Sequence, residues 1–273
     1  MRKDYVSIDV TEDRDEATFI EDYWTRVWKE EGGPKEQIGQ IPSKNEYKVM
    51  APYLARLPKE ARLLDGGCGL GDWTAYFSRN GFPTTGLDIS RSTVAKLHEL
   101  FPDVTFAAGD IRRTEFEDAS FDGYFSWGVF EHFEDGLQPC IAEAYRILKP
   151  GGFLFVSVPF DNIRHALRSG TSVRRGQHAD AGGARFYQWR LTRQELSREL
   201  CLGGFNVEAV ETIHKRQGVL RSLHHEIGLP YSWLLTKGLA TVLSPFIPGG
   251  LVAHMVMAIA QKPHDAPVEK VSK

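Results

Sequence analysis

Residues Arg62 to Thr74 read "RLLDGGCGLGDWT", an apolar run closed by Asp65 and followed at once by four glycines between positions 66 and 71. Glycine weakens both strands and helices, so the segment is a turn rather than part of either element. An apolar run before it and a helical pattern after it make the order strand, glycine turn, helix. In such a turn the missing side chains let a ligand approach the backbone closely.

Outward from this turn, short apolar runs alternate with helical patterns. The runs are 62–65, 84–88, 104–108, 121–127 and 153–158, and helices are expected at 72–80, 90–100 and 135–149, the last stopped by "KPGG". Alternation of this kind gives a parallel sheet with helices on both faces. Further along, "TRQE" at Thr192 to Glu195 is a capping box, "FNVEAVET" alternates as a strand, and "HMVMAIAQK" is a second strand. Upstream, an amphipathic helix is expected over 14–31, and "SKNE" at Ser43 to Glu46 reads as a capping box opening another helix.

The totals restrict the function. With 273 residues, 42% apolar content and a net charge of −3, the chain is an ordinary globular protein without the basic excess of a general nucleic-acid binder. Its three cysteines, Cys68, Cys140 and Cys201, have no metal-ligand spacing, which points to a reducing, cytoplasmic setting and no metal. The opening residues lack the apolar stretch of a signal peptide. The uncharged stretch 238–261 is broken by Pro245, Pro248, Gly249 and Gly250, so stable membrane insertion is not expected.

Three acids follow the strands at the same rim. Asp65 ends the first strand, Asp88 ends the second in "GLDIS", and Asp110 follows the third in "AAGDI". A carboxylate at the second position can accept hydrogen bonds from both hydroxyls of a ribose. An acidic rim disfavours a pyrophosphate and suits a cofactor carrying a cation and an adenosine. A nicotinamide oxidoreductase would use the glycines and Asp88 but leave Asp65, Asp110 and "LKPGG" without a role.

Residues 62–158, through "LLDGGCGLG", "GLDIS", "AAGDI", "FDGYFSWGVFEHFED" and "AYRILKPGGFLFVSVP", resemble the core of class I S-adenosylmethionine-dependent methyltransferases of the small-molecule, methyltransferase-11-like type. The resemblance implies an α/β fold, a Rossmann-like doubly wound seven-stranded sheet, mostly parallel with an antiparallel last strand. It implies S-adenosyl-L-methionine as cofactor. Asp65, Gly66, Gly67 and Gly69 would line its methionine moiety, Asp88 the ribose, and Ile89 the adenine. Asp110 and Ile111 would meet the adenine edge, with Ser126 and Trp127 beneath the methionine end. It further implies a helical N-terminal lid, residues 1–58, in which Tyr23, Trp24 or Tyr47 could cover the cofactor. The methyltransferase domain would then span 59–273, with substrate-covering segments at about 160–190 and 214–252.

His132, in the "FEHFED" segment after the fourth core strand, is the candidate general base for an acceptor that must lose a proton; His165 and His178 are reserves. Residues 164–198 hold eight arginines against Asp180 and Glu195, which suggests a small anionic acceptor. His165, Arg185 and Tyr187 are the candidate substrate contacts. The expected reaction is methyl transfer, leaning towards O-methylation of a sugar, glycolipid precursor or carboxylic or natural-product acceptor; a non-catalytic cofactor-binding subunit or sensor is the alternative. The apolar stretch Tyr231 to Leu243 reads as a lid, a homodimer surface or a membrane contact.

Overall fold

The computed structural model describes residues 1–7, 16–30, 38–164 and 184–264. Seven strands form the main sheet: β2 (Leu63–Gly66), β3 (Thr84–Asp88), β4 (Thr105–Ala108), β5 (Phe121–Trp127), β6 (Leu148–Pro159), β8 (Asn206–Ile213) and β9 (Met255–Gln261). Their spatial order is β4-β3-β2-β5-β6-β9-β8. Pairings among β2 to β6 are parallel, while β9 runs antiparallel between β6 and β8. This is the doubly wound sheet expected, with the antiparallel strand last in the chain. The order reverses between β2 and β5, which opens a crevice beyond their carboxyl ends.

Central strands are buried on both faces: β5 is buried from Phe121 to Ser126 and β6 from Gly152 to Pro159. One core layer joins Leu64, Tyr124, Leu154 and Ile141 under α5 (Gln138–Ile147). The other joins Met50, Phe77, Phe125 and Phe155 under α2 (Asn45–Leu54) and α3 (Asp72–Arg79). The remaining helices are α1 (Glu16–Glu30), α4 (Arg91–Leu100), α6 (Arg193–Leu202), α7 (Lys215–Ile227), α8 (Leu234–Leu243) and α9 (Gly249–Val252).

Three local expectations are corrected. Helix α5 begins only at Gln138, because Gly136 takes φ 88°, outside the right-handed helical region. It ends at Ile147, and "KPGG" belongs to β6, where Gly151 (φ 81°) bends the strand instead of capping the helix. The "SKNE" capping box does not form. Ser43 lies in a 3-10 turn and donates to the Gln40 carbonyl, while Glu46 pairs with His214 at 2.9 Å. By contrast, the box at Thr192 and Glu195 is complete and starts α6.

The sequence pattern gave no indication that the amino-terminal residues form a strand. Strand β1 (Arg2–Ser7) pairs antiparallel with β7 (Ala184–Arg190) in a separate two-stranded sheet. Asp4 fastens it, accepting from Gln188 at 2.9 Å and Arg190 at 2.6 Å. Among the described residues no helix is long and apolar enough to cross a membrane.

Candidate functional site: a cleft at the glycine turn

The glycine turn leaves β2 and enters α3 with Gly67, Gly69 and Gly71 all at positive φ. At Gly67 (φ 79°) a Cβ would stand 2.4 Å from Val129 Cγ2. At Gly69 it would stand 2.9 Å from the Trp28 ring. Gly67→Ala is therefore expected to cost roughly 2–5 kcal/mol, combining left-handed strain with overpacking, and to lower the thermal midpoint accordingly. An unchanged midpoint in thermal denaturation would contradict this account of the turn.

Asp88 is buried at the end of β3. Its carboxylate accepts the Gly69 N–H at 2.8 Å and the Ser90 N–H at 2.9 Å, so it holds the turn as well as facing the cleft. Burial raises its pKa, and those two N–H groups oppose the rise. Asp65 accepts from the Thr74 hydroxyl at 2.7 Å, and burial pushes its carboxyl up to about 7. Asp110 is clasped by Arg112, whose Nη2 approaches to 2.8 Å and whose guanidinium lies over Phe133.

A cleft enclosing about 660 Å³, open to solvent on one side, lies at this rim. Of the residues singled out from sequence, Gly67, Asp88, Ile89, Asp110, Ile111, Trp127 and His132 line it. Asp65, Gly66, Gly69 and Ser126 stand behind its wall. Ser126 donates to the Gly66 carbonyl at 2.7 Å and ties β5 to β2. Helix α1 covers the cleft with Ile20, Trp24 and Trp28, held in place by Thr25 on Ser90 at 2.7 Å. Trp24 is one of the three aromatics expected there, whereas Tyr47 packs on Tyr76 and Phe77 instead. Trp28 is expected from the sequence on the same apolar face as Trp24, four residues away, but not as a cover of the cleft; the two indoles stack at 5.2 Å.

A second cavity of about 480 Å³ adjoins the first and shares Ile20, Trp24 and His132 with it. Arg185, Phe186 and Tyr187 from β7, with Tyr23 and Glu134, complete its lining. The structure thus gathers His132, Arg185 and Tyr187, although 55 residues separate His132 from Tyr187. His165 and His178 lie outside the described residues. His132 is buried in the 3-10 turn Phe130–His132, and its Nδ1 meets the Tyr187 carbonyl at 2.8 Å. A carbonyl can only accept, so Nδ1 carries the proton and Nε2 keeps its lone pair. Burial depresses the imidazole to about 4, against the opposing pull of the Tyr187 and Gly128 carbonyls. The neighbouring Glu131, 3.9 Å from Nε2, is raised by burial to about 8. Both groups are therefore held in their uncharged forms at neutral pH.

The cleft has the features a nucleoside-bearing cofactor needs: a side-chain-free cradle, a buried acid at the second strand, and apolar walls for a base. Trp28 and Trp127 line the cleft, and their indole Nε1 atoms are buried without a hydrogen-bond partner among the described residues. Fold and cleft define a Rossmann-like domain whose rim has the shape and polarity that suit an adenosyl cofactor. Residues 64–156 match the family described as "Methyltransferase domain". The chain is 32% identical over 130 residues to malonyl-[acyl-carrier protein] O-methyltransferase of Enterobacter lignolyticus, covering 46% of this chain and 51% of that one. It is 38% identical over 133 residues to 2-methyl-6-phytyl-1,4-hydroquinone methyltransferase of Synechocystis, covering 46% and 42%. The chain spans about half the length of the curated relatives it matches. In fold it resembles a 1,6-didemethyltoxoflavin-N1-methyltransferase from Burkholderia thailandensis, solved with 1,6-didemethyltoxoflavin and S-adenosylhomocysteine. The TM-score is 0.56 at 18% identity, over 95% of each chain. Over residues 64–156 the chain is thus similar to S-adenosylmethionine-dependent methyltransferases in sequence, and over most of its length in fold.

Proposed function

We propose that this protein transfers the methyl group of S-adenosylmethionine to an oxygen of a small anionic acceptor. The observation that carries the reading is His132, which forms part of both the cofactor cleft and the cavity beside it. When bound, the cofactor supplies a methyl group on a cationic sulfur. Asp88 would hold the ribose hydroxyls with its remaining lone pairs, and Ile89 and Ile111 would flank the adenine. Asp65, behind the glycine turn, would offset the positive charge of the methionine end. Trp24 and Trp28 would keep water from the reacting centre.

Methyl transfer cancels charge rather than creating it, so alignment supplies most of the acceleration, up to about 7–11 kcal/mol in favourable cases. His132 would receive a hydroxyl proton at Nε2, with the Tyr187 carbonyl stabilising the imidazolium through Nδ1–H. Arg185 would face an acidic group on the acceptor. The relatives named above methylate a malonyl thioester carrier and a phytyl hydroquinone by their names. The first is an O-methyltransferase by name and supports an oxygen acceptor; the name of the second does not specify the atom methylated. Formation of S-adenosylhomocysteine, followed across sugar acids, sugar phosphates, carboxylic acids and quinols, tests the proposal. Cofactor binding without turnover of any such acceptor would favour a binding subunit instead.

Asp65 adds a pH dependence. Below about 7 its carboxyl takes up a proton and loses the negative charge that a cationic ligand favours. Cofactor affinity is expected to fall about tenfold from pH 8 to pH 6, and Asp65→Asn to flatten the profile. Calorimetric titration at the two pH values measures both.

A further inference from the structure

A third cavity, of about 620 Å³, lies one step along the same rim. Its charged wall comes from three separate elements: Arg164 beyond β6, Arg190 at the end of β7, and Arg221 on α7. Asn162, His225 and His254 complete the polar lining. Its position follows from the sheet. Pro159 of β6 pairs with Met255 of β9, and the Phe160 N–H donates to the His254 carbonyl at 3.0 Å, so His254 sits beside the carboxyl end of β6. The segment after β5 lies between this cavity and the cofactor cleft. Gly128 lines the cleft, and a Cβ there would stand 3.7 Å from Met255 Cε and 3.4 Å from Glu131 Oε1.

A single glycine brings α7 close enough to form the wall. A Cβ at Gly218 would fall 1.6 Å from the Val252 carbonyl oxygen, so only glycine lets the helix lie flush on residues 252–253. One turn later Arg221 Nη1 donates to His254 Nε2 at 2.8 Å. Two of the arginines already have carboxylate partners: Arg164 meets Glu226 at 3.1 Å, and Arg190 Nε meets Asp4 at 2.6 Å. Arg190 Nη1 is nevertheless buried without a hydrogen-bond partner among the described residues. Asp161, paired with Arg2 at 3.3 Å, also faces Arg190, so among the described residues four guanidiniums meet three carboxylates and the local balance is positive. His254 lies in this field: burial, then Arg221, Arg190, His214 and Arg164, depress its imidazole to about 3.

Guanidinium forks converging from three directions suit a tetrahedral anion with several oxygens better than a planar carboxylate, which one fork can satisfy. We infer that this cavity binds a phosphoryl group carried by the methyl acceptor, which makes the acceptor a phosphate or diphosphate ester. The inference rests on the methyltransferase reading and deepens it. Two sources share this chemistry, a free small acceptor and a lipid phosphate. Helix α8, packed on α7 through Val219, Leu223 and Ala240, leaves Leu234 and the following Phe246 exposed at 85% and 82%. Residues 214–254 carry Lys215, Arg216, Arg221 and Lys237 against Glu226 alone, so the apolar face has a basic surround that complements an anionic lipid surface.

The test is calorimetric titration of the full chain with inorganic pyrophosphate, alongside sedimentation with phosphatidylcholine vesicles with and without phosphatidic acid. Pyrophosphate is expected to bind the unaltered protein and to bind Arg221→Gln and Arg164→Gln about tenfold or more weakly. It should also raise the pH at which the His254 ring titrates by nuclear magnetic resonance, a change that a purely structural arginine cluster would not produce. Vesicle binding that requires phosphatidic acid and is lost in Leu234→Asp assigns the phosphate to a lipid. Pyrophosphate binding without vesicle binding assigns it to a free acceptor. Absence of both, or variants that bind pyrophosphate as the unaltered chain does, overturns the inference. S-adenosylmethionine titrated in parallel keeps the two readings apart. If it binds while pyrophosphate does not, only the phosphoryl site fails; if it does not bind, the methyltransferase reading fails.

Discussion

Asp88→Ala is expected to lower the affinity for S-adenosylmethionine by at least about 100-fold. Each hydrogen bond from a ligand hydroxyl to a charged carboxylate contributes on the order of 1.5–3 kcal/mol, and Asp88 would accept two. The same carboxylate fixes the Gly69 and Ser90 N–H groups, so the substitution also loosens the glycine turn. Asp88→Asn separates the two effects. Its carbonyl oxygen can still accept one backbone N–H, and it should recover part of the thermal midpoint while affinity stays weak. Calorimetry and thermal denaturation on both variants give the answer. Affinity unchanged in Asp88→Ala would remove the ribose role and with it the placement of the cofactor in this cleft.

The second large effect is expected at His132. His132→Gln should lower kcat by about 10²–10⁴-fold on a hydroxyl acceptor, the range a positioned base supplies, while cofactor affinity changes little. The pH profile provides a sharper check. The folded imidazole titrates at about 4, below its ordinary 6.5, so the base stays unprotonated across the interval between them. At saturating cofactor, kcat should therefore hold on acidification past pH 6 and decline only as pH approaches about 4. A decline centred near 6.5, or a glutamine variant with the rate of the unaltered enzyme, would assign His132 to packing. The linkage sign for stability agrees with this reading. Between 4 and 6.5 the unfolded chain binds the proton and the folded one does not, so this residue's contribution to stability diminishes as pH falls through that window.

Much of the core was legible because its signals are local. The short runs at 84–88 and 121–127 match β3 and β5 residue for residue, since each lies between helix and turn signals and ends at the rim of the sheet. Asp65, Asp88 and Asp110 were found because each sits at or just past a strand end, and strand ends in a parallel sheet share one rim. The capping box at Thr192 survived because Glu195 keeps Oε2 for Thr192 while its Oε1 meets the Met1 ammonium, whereas Glu46 was taken by His214 from a distant segment. The covering role of Trp28 was missed because it depends on which face of α1 meets the glycine turn, and a helix periodicity does not name its partner.

The sequence alone determined the alternating architecture, the glycine turn and the acidic rim. These rest on side-chain period, backbone freedom and strand ends, all properties of a few neighbouring residues. Tertiary structure decided the rest. It joined β1 to β7, brought Arg185 and Tyr187 to His132, fixed the imidazole tautomer through the Tyr187 carbonyl, and assembled Arg164, Arg190 and Arg221 around one cavity. Each of these links positions tens to nearly two hundred residues apart. Such a pairing is selected by the free energy of the whole packed chain, through burial that changes proton affinities and through contacts such as Gly218 on Val252, and no local pattern encodes it.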